Sequence, residues 1–173
     1  RAGHVWVYRK DSGYDIKGWD SPDLRKGTIG VNDKSPVAVA LNANGLMLNA
    51  KPYRIQRDLN TSPGAKIDDL VNGDIDVAIE WGPIGGYYAK KADADLVVVQ
   101  IPEYAKDETR LTGKTYWNIS AGVRKKDKER RDIIEAAIER NIDKIYAILD
   151  EYGIPFQKPS FEDRLDGYNR HKK

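Results

Sequence analysis

An α/β fold with a largely parallel sheet is predicted, and two observations carry the prediction. Short runs rich in Val, Ile and aromatic residues alternate with amphipathic helical stretches along most of the chain, and several of those stretches have their own start and stop residues. Size agrees: 173 residues, 40% of them hydrophobic, are enough to bury roughly 70% of the unfolded surface without disulfide, metal or lipid.

In order, strands are expected at Val5–Tyr8, Thr28–Val31, Tyr53–Gln56, Asp76–Trp81, Leu96–Ile101 and Trp117–Val123. Ser35 followed by Pro36 is a helix start, because the hydroxyl accepts an orphan N–H and Pro loses no hydrogen bond at the first helical position. That helix runs over Val37–Asn44 to Gly45. A second, Ile67–Val71, stops at Asn72 and Gly73, and a third spans Ile84–Lys91. The longest is expected from Asp127 to Tyr152, where Ile134, Ile138, Ile142, Ile145, Leu149 and Tyr152 form one apolar stripe. Gly153 and Pro155 end it. A polar and aromatic tail hugging the surface is expected after Pro155, with no internal repeat or low-complexity segment.

Lys and Arg number 29 against 27 Asp and Glu. The one concentrated basic stretch, Arg124–Arg131, is interrupted by Asp127 and Glu129, which argues against a nucleic-acid groove. With no Cys there is no thiol nucleophile or thiolate metal site, and no apolar run approaches the ~20 residues of a membrane span. His4 and His171 are the only imidazoles, which leaves little for a histidine-based proton relay. Gly113, Lys114 and Thr115 end like a phosphate-binding loop, but Glu108 stands where its first glycine belongs. Gly82, Gly85 and Gly86 follow a strand; a tight turn packed on a neighbouring segment is favoured there over a nucleotide cradle. No metal-ligand spacing and no cofactor are expected.

Several residues suggest a binding face. Glu80 falls late in a strand expected to be buried, so it is either paired or lines a cleft, in which case it could serve as a general acid. Trp6, Trp81 and Trp117 fall in or at the ends of strands, and Tyr87 and Tyr88 follow the glycine turn. Core packing explains any one of them, while the group suggests an apolar cleft at the carboxyl ends of the sheet.

The order HVWVYRK, KGTIGVNDKSP, DDLVNGDIDVAIEWGP and NISAGVRKKD resembles the second half of a type II periplasmic solute-binding protein. The resemblance implies one complete βαβ lobe (residues 11–116), two hinge strands (4–10 and 117–124) and the remainder of a second lobe (125–173), whose first part is missing. The helical stripe from Asp127 would then need a partner, a rearrangement or exposure. IEWGPIGGYYAKK, LVVVQIPE and YGIPF are similar to the MxaJ/XoxJ group of that family, periplasmic accessories of PQQ methanol dehydrogenases, of which the XoxJ branch accompanies the lanthanide-dependent enzyme. This implies a non-enzymatic, periplasmic protein whose partner is the dehydrogenase, with its cytochrome c as a further candidate. The alternatives are an importer receptor binding a small-molecule ligand and, more remotely, an enzyme using Glu80. In amino-acid receptors of the family a threonine aligns with Ser35 and an ammonium-gripping aspartate aligns with Trp81. Ser35, with the amides of its helix, is left to receive an anion or an acidic side chain. An indole in place of the carboxylate removes the ion pair, so a partner-binding face of Trp81, Ser35, Glu80, Tyr87, Tyr88, Trp6 and Trp117 is the expectation.

Overall fold

The computed structural model describes residues 1–54, 60–103 and 114–160. Among the described residues there are six strands: β1 (Ala2–Arg9), β2 (Ile29–Asn32), β3 (Ala50–Tyr53), β4 (Val77–Trp81), β5 (Leu96–Gln100) and β6 (Tyr116–Trp117). Five α-helices accompany them: α1 (Pro36–Ala43), α2 (Ala65–Asn72), α3 (Gly82–Lys91), α4 (Lys128–Arg140) and α5 (Ile142–Glu151).

The sheet is mixed rather than largely parallel. Its order is β3-β2-β4-β1-β5, with β6 attached to the start of β1. β2 pairs in parallel with β3 and β4, whereas β1 runs antiparallel to β4, β5 and β6. The first strand therefore fills a slot between two later strands that α3 joins in sequence.

Alternation along β1 explains the layering. Trp6 and Tyr8 enter a core with Trp19, Leu24, Val31, Leu41 and Ile79, which α1 closes. Val5 and Val7 enter the opposite core with Ile67, Leu70, Ala78 and Ala89, which α2 and α3 close. The helix starts are local: Ser35 caps α1 by accepting from the Ala38 N–H, with Pro36 at the first position, and Gly73 ends α2 in the left-handed region at φ 82°.

Three expected boundaries differ. The third strand ends at Tyr53 instead of starting there, and residues 55–59 lie outside the described set. The last strand is two residues long, because only Tyr116 and Trp117 find partners on β1, at Gly3 and Ala2; residues 118–123 leave the sheet. The long helix is two helices. Asn141 breaks it, with φ −115° and its side-chain amide donating to the Ala137 carbonyl at 2.8 Å. Of the tail, residues 161–173 lie outside the described set.

Candidate functional site

Three aromatic side chains meet where β1, β4 and β6 come together. Register places His4 opposite Trp81, and Ala2 opposite Trp117. The His4 ring stands edge-on to Trp81 at 5.4 Å and to Trp117 at 5.7 Å, and the two indoles are 5.8 Å apart at 54°. Both indoles stay partly exposed. A half-open aromatic junction of this kind offers apolar area at low conformational cost.

Glycines let the backbone close around it. A Cβ on Gly82 would lie 2.5 Å from the Gly3 carbonyl oxygen, and one on Gly86 would lie 2.1 Å from that of Gly153. The glycine cluster thus serves close packing of α3 on β1 and on residues 153–155. Lys114 and Thr115 are likewise engaged locally, the former with Glu103 at 3.2 Å and the latter donating to the Pro102 carbonyl at 2.5 Å. Gly113 and Glu108 lie outside the described residues.

Beneath the junction sits a buried ion pair. Lys66 is fully buried on α2; its Nζ is 2.8 Å from Glu80 Oε2 and donates to the Ile79 carbonyl at 2.6 Å. The other Glu80 oxygen accepts from the Trp81 backbone N–H at 2.8 Å. Glu80 is therefore paired, closed off from any cleft, and ties α2 to the strand end that carries Trp81. Burial pulls the Lys66 ammonium below its ordinary pKa, although Glu80 opposes this. His4 is pushed down to about 4, first by burial and then by the Lys66 charge, against the hydrogen bond of Nδ1 with the Thr115 carbonyl.

The remaining candidates are dispersed. Trp6 is wholly enclosed, edge-to-face with Trp19 at 5.2 Å, so it belongs to the core and to no binding face. Ser35 is buried at the start of α1, its hydroxyl donating to the Asn32 carbonyl at 2.6 Å. Tyr88 packs over Gly64, where a Cβ would lie 2.2 Å from its ring. Tyr87 stacks on half-exposed Tyr152 at 5.9 Å and accepts from Lys91 Nζ at 2.9 Å. Of the seven expected residues, the structure brings Trp81 and Trp117 together, with Glu80 beneath. It adds His4 and Lys66. Lys66 lies on the same apolar stripe as Ile67 and Leu70, which was the available signal; nothing local marks His4. Among the described residues no cluster of His and acidic side chains is arranged to hold a metal ion.

A mixed sheet with an antiparallel strand inserted beside its third parallel strand, helices on both faces and a short last strand paired with the start of the inserted one is a type II periplasmic solute-binding protein fold. Within that class the chain has the MxaJ/XoxJ-type architecture. It is similar to the crystal structure of MxaJ from Methlophaga aminisulfidivorans MPT, at 26% identity and TM-score 0.77, over 90% of this chain and 68% of that one. Against the periplasmic binding protein XoxJ from Methylobacterium extorquens AM1 the values are 28%, 0.74, 91% and 69%. An ancestral cationic amino acid solute binding protein, at 20% identity and TM-score 0.59 over 89% of this chain and 58% of its own, shares the fold. Protein MoxJ of Methylorubrum extorquens AM1 is 26% identical over 90% of this chain and 55% of its own length, so the chain spans about half of that curated relative. No family model matches.

Proposed function

We propose that the protein is a periplasmic accessory of methanol oxidation, which binds a lanthanide-dependent PQQ methanol dehydrogenase and activates or matures it. It acts by binding, not by catalysis. The similarity to MoxJ, MxaJ and XoxJ supports this reading, and the observation that carries it at the residue level is the His4–Trp81–Trp117 junction. The resemblance to amino-acid receptors puts Trp81 in the place of their ammonium-gripping aspartate, and Trp is among the side chains enriched in the residues that dominate protein interfaces. On this reading β1 and β6 are the two hinge strands, the sheet unit between them is one lobe, and α4 with α5 belongs to the other.

The test is co-elution of the chain with the dehydrogenase, its cytochrome c present or absent, together with dye-linked methanol oxidation. Binding, stimulation, and a loss of about tenfold in affinity on Trp81→Ala are expected. If the chain neither co-elutes nor changes the rate, the reading fails. A small solute that raises the melting temperature by several degrees well above its Kd would replace it with the importer-receptor reading.

A further inference from the structure

The two ends of the main sheet are not alike. β3, at one end, carries Lys51 and Pro52, residue types that natural sheets place on edges to turn added strands away. β5, at the other end, reads Leu-Val-Val-Val-Gln. It has no charge, no Pro and no bulge in its register against β1. Both of its faces are covered, by the Trp6 core over Val97 and Val99 and by the opposite core over Leu96 and Val98. All of its residues nevertheless stay partly exposed, so the open part is the flank of the strand.

The backbone along that flank is unpaired. The Lys10 N–H donates to the Asp95 carbonyl at 2.9 Å and the Ile101 N–H to the His4 carbonyl at 3.0 Å, which fixes the phase of the ladder. Asp95, Val97, Val99 and Ile101 therefore turn their N–H and C=O groups to β1, while Leu96, Val98 and Gln100 turn theirs outward. Among the described residues no group meets them. A flat, apolar edge of this kind is a template for an added strand.

The strand that fits this template is a second copy of itself. In an antiparallel two-fold contact centred on Val98, Leu96 lies opposite the partner's Gln100 and Val98 opposite the partner's Val98. These are the residues whose groups point outward, so every pair is a hydrogen-bonded one, with about six N–H···O bonds across the contact. Within the strand no charges meet, and Asp95, just before it, falls opposite the partner's Ile101. A surface that matches itself in this way makes a closed dimer.

We propose that two copies of the chain join through β5, their sheets continuing across the contact. Sedimentation and hydrogen exchange of the full chain test this. As the protein is raised from micromolar to millimolar, the average mass should climb from one chain towards two. Exchange at the backbone amides of Leu96, Val98 and Gln100 should slow about tenfold once about nine-tenths of the chains are paired. Val97 and Val99, bonded to β1, should be protected at every concentration. Val98→Pro deletes an outward N–H and no bond to β1; it should hold the mass at one chain and leave the far-UV circular dichroism unchanged. If that variant does not fold, the exchange pattern of the parent decides alone. Leu48→Lys, at a fully exposed apolar residue elsewhere on the surface, should dimerise as the parent does. A mass fixed at one chain, exchange at the three amides indifferent to concentration, or dimerisation lost in Leu48→Lys and kept in Val98→Pro would overturn the proposal. So would protection that appears only when the dehydrogenase is added, which would make β5 a dock for a foreign strand.

Discussion

The sheet unit and the α4–α5 pair are both built from amphipathic elements, yet only one of them is packed. α1 buries Val37, Ala40 and Leu41, and α2 buries Lys66, Ile67 and Leu70. α4 and α5 bury no residue, and Ile133, Ile138, Ile148 and Tyr152 remain exposed. Periodicity decides which face a helix can bury; the surface brought against it decides whether it does. α5 is held at its C-terminal end, where Lys90 Nζ donates to the Glu151 carbonyl at 2.7 Å, and at its middle, where Phe156 stacks on Tyr146 at 4.9 Å.

The contrast can be broken first at its most tightly held point. Glu80→Ala leaves the Lys66 ammonium buried without its carboxylate and should cost about 3–5 kcal/mol in urea unfolding. Replacing both, as Lys66→Met with Glu80→Leu, should recover most of that loss. Failure to recover would mean that the bond to the Trp81 N–H, not the ion pair, holds the strand end.

Acid should act next. His4 is about 4 in the folded chain against an ordinary 6.5, so between those values the unfolded chain binds more protons. Stability is full above pH 6.5 and falls as the pH drops towards 4, by about 3 kcal/mol from this group alone. His4→Phe should flatten that part of the pH dependence of unfolding. An unchanged slope would show that the ring is free of its indole neighbours in solution.

The smallest effect sharpens the comparison most. Ile133→Ala on α4 should change stability by less than about 0.5 kcal/mol, whereas Leu41→Ala on α1 should cost about 2–5 kcal/mol. Equal losses in unfolding experiments would mean that the α4 face is covered in solution.

Legibility followed the same divide. The α1 and α2 segments are readable because Ser35, Pro36, Gly45 and Gly73 act within a few residues of themselves. Strand direction was not readable, because nothing in Val5–Tyr8 says whether its neighbours run with it or against it. The break at Asn141 was hidden by a stripe that continues through Ile138 and Ile142. The position of Trp81 and Trp117 at strand ends is legible in the sequence, while their part in binding remains the proposal made above. Trp6 was misjudged because its neighbours on the sheet face, Trp19 and Ile79, come from distant segments. Lys66 was overlooked because lysine on a helix is ordinarily solvated, and only its burial against Glu80 reveals its part.

The slot that β1 occupies has a consequence for how the molecule assembles. β2, α1, β3 and β4 can collect over short loops, but Val5 and Val7 must wait for residues 77–80 and 97–100 before either edge of their strand is matched. Such distant pairing belongs late in folding. Truncating Val5 or Val7 should therefore hasten unfolding far more than it slows refolding, as befits a strand that is matched only after both of its neighbours are in place.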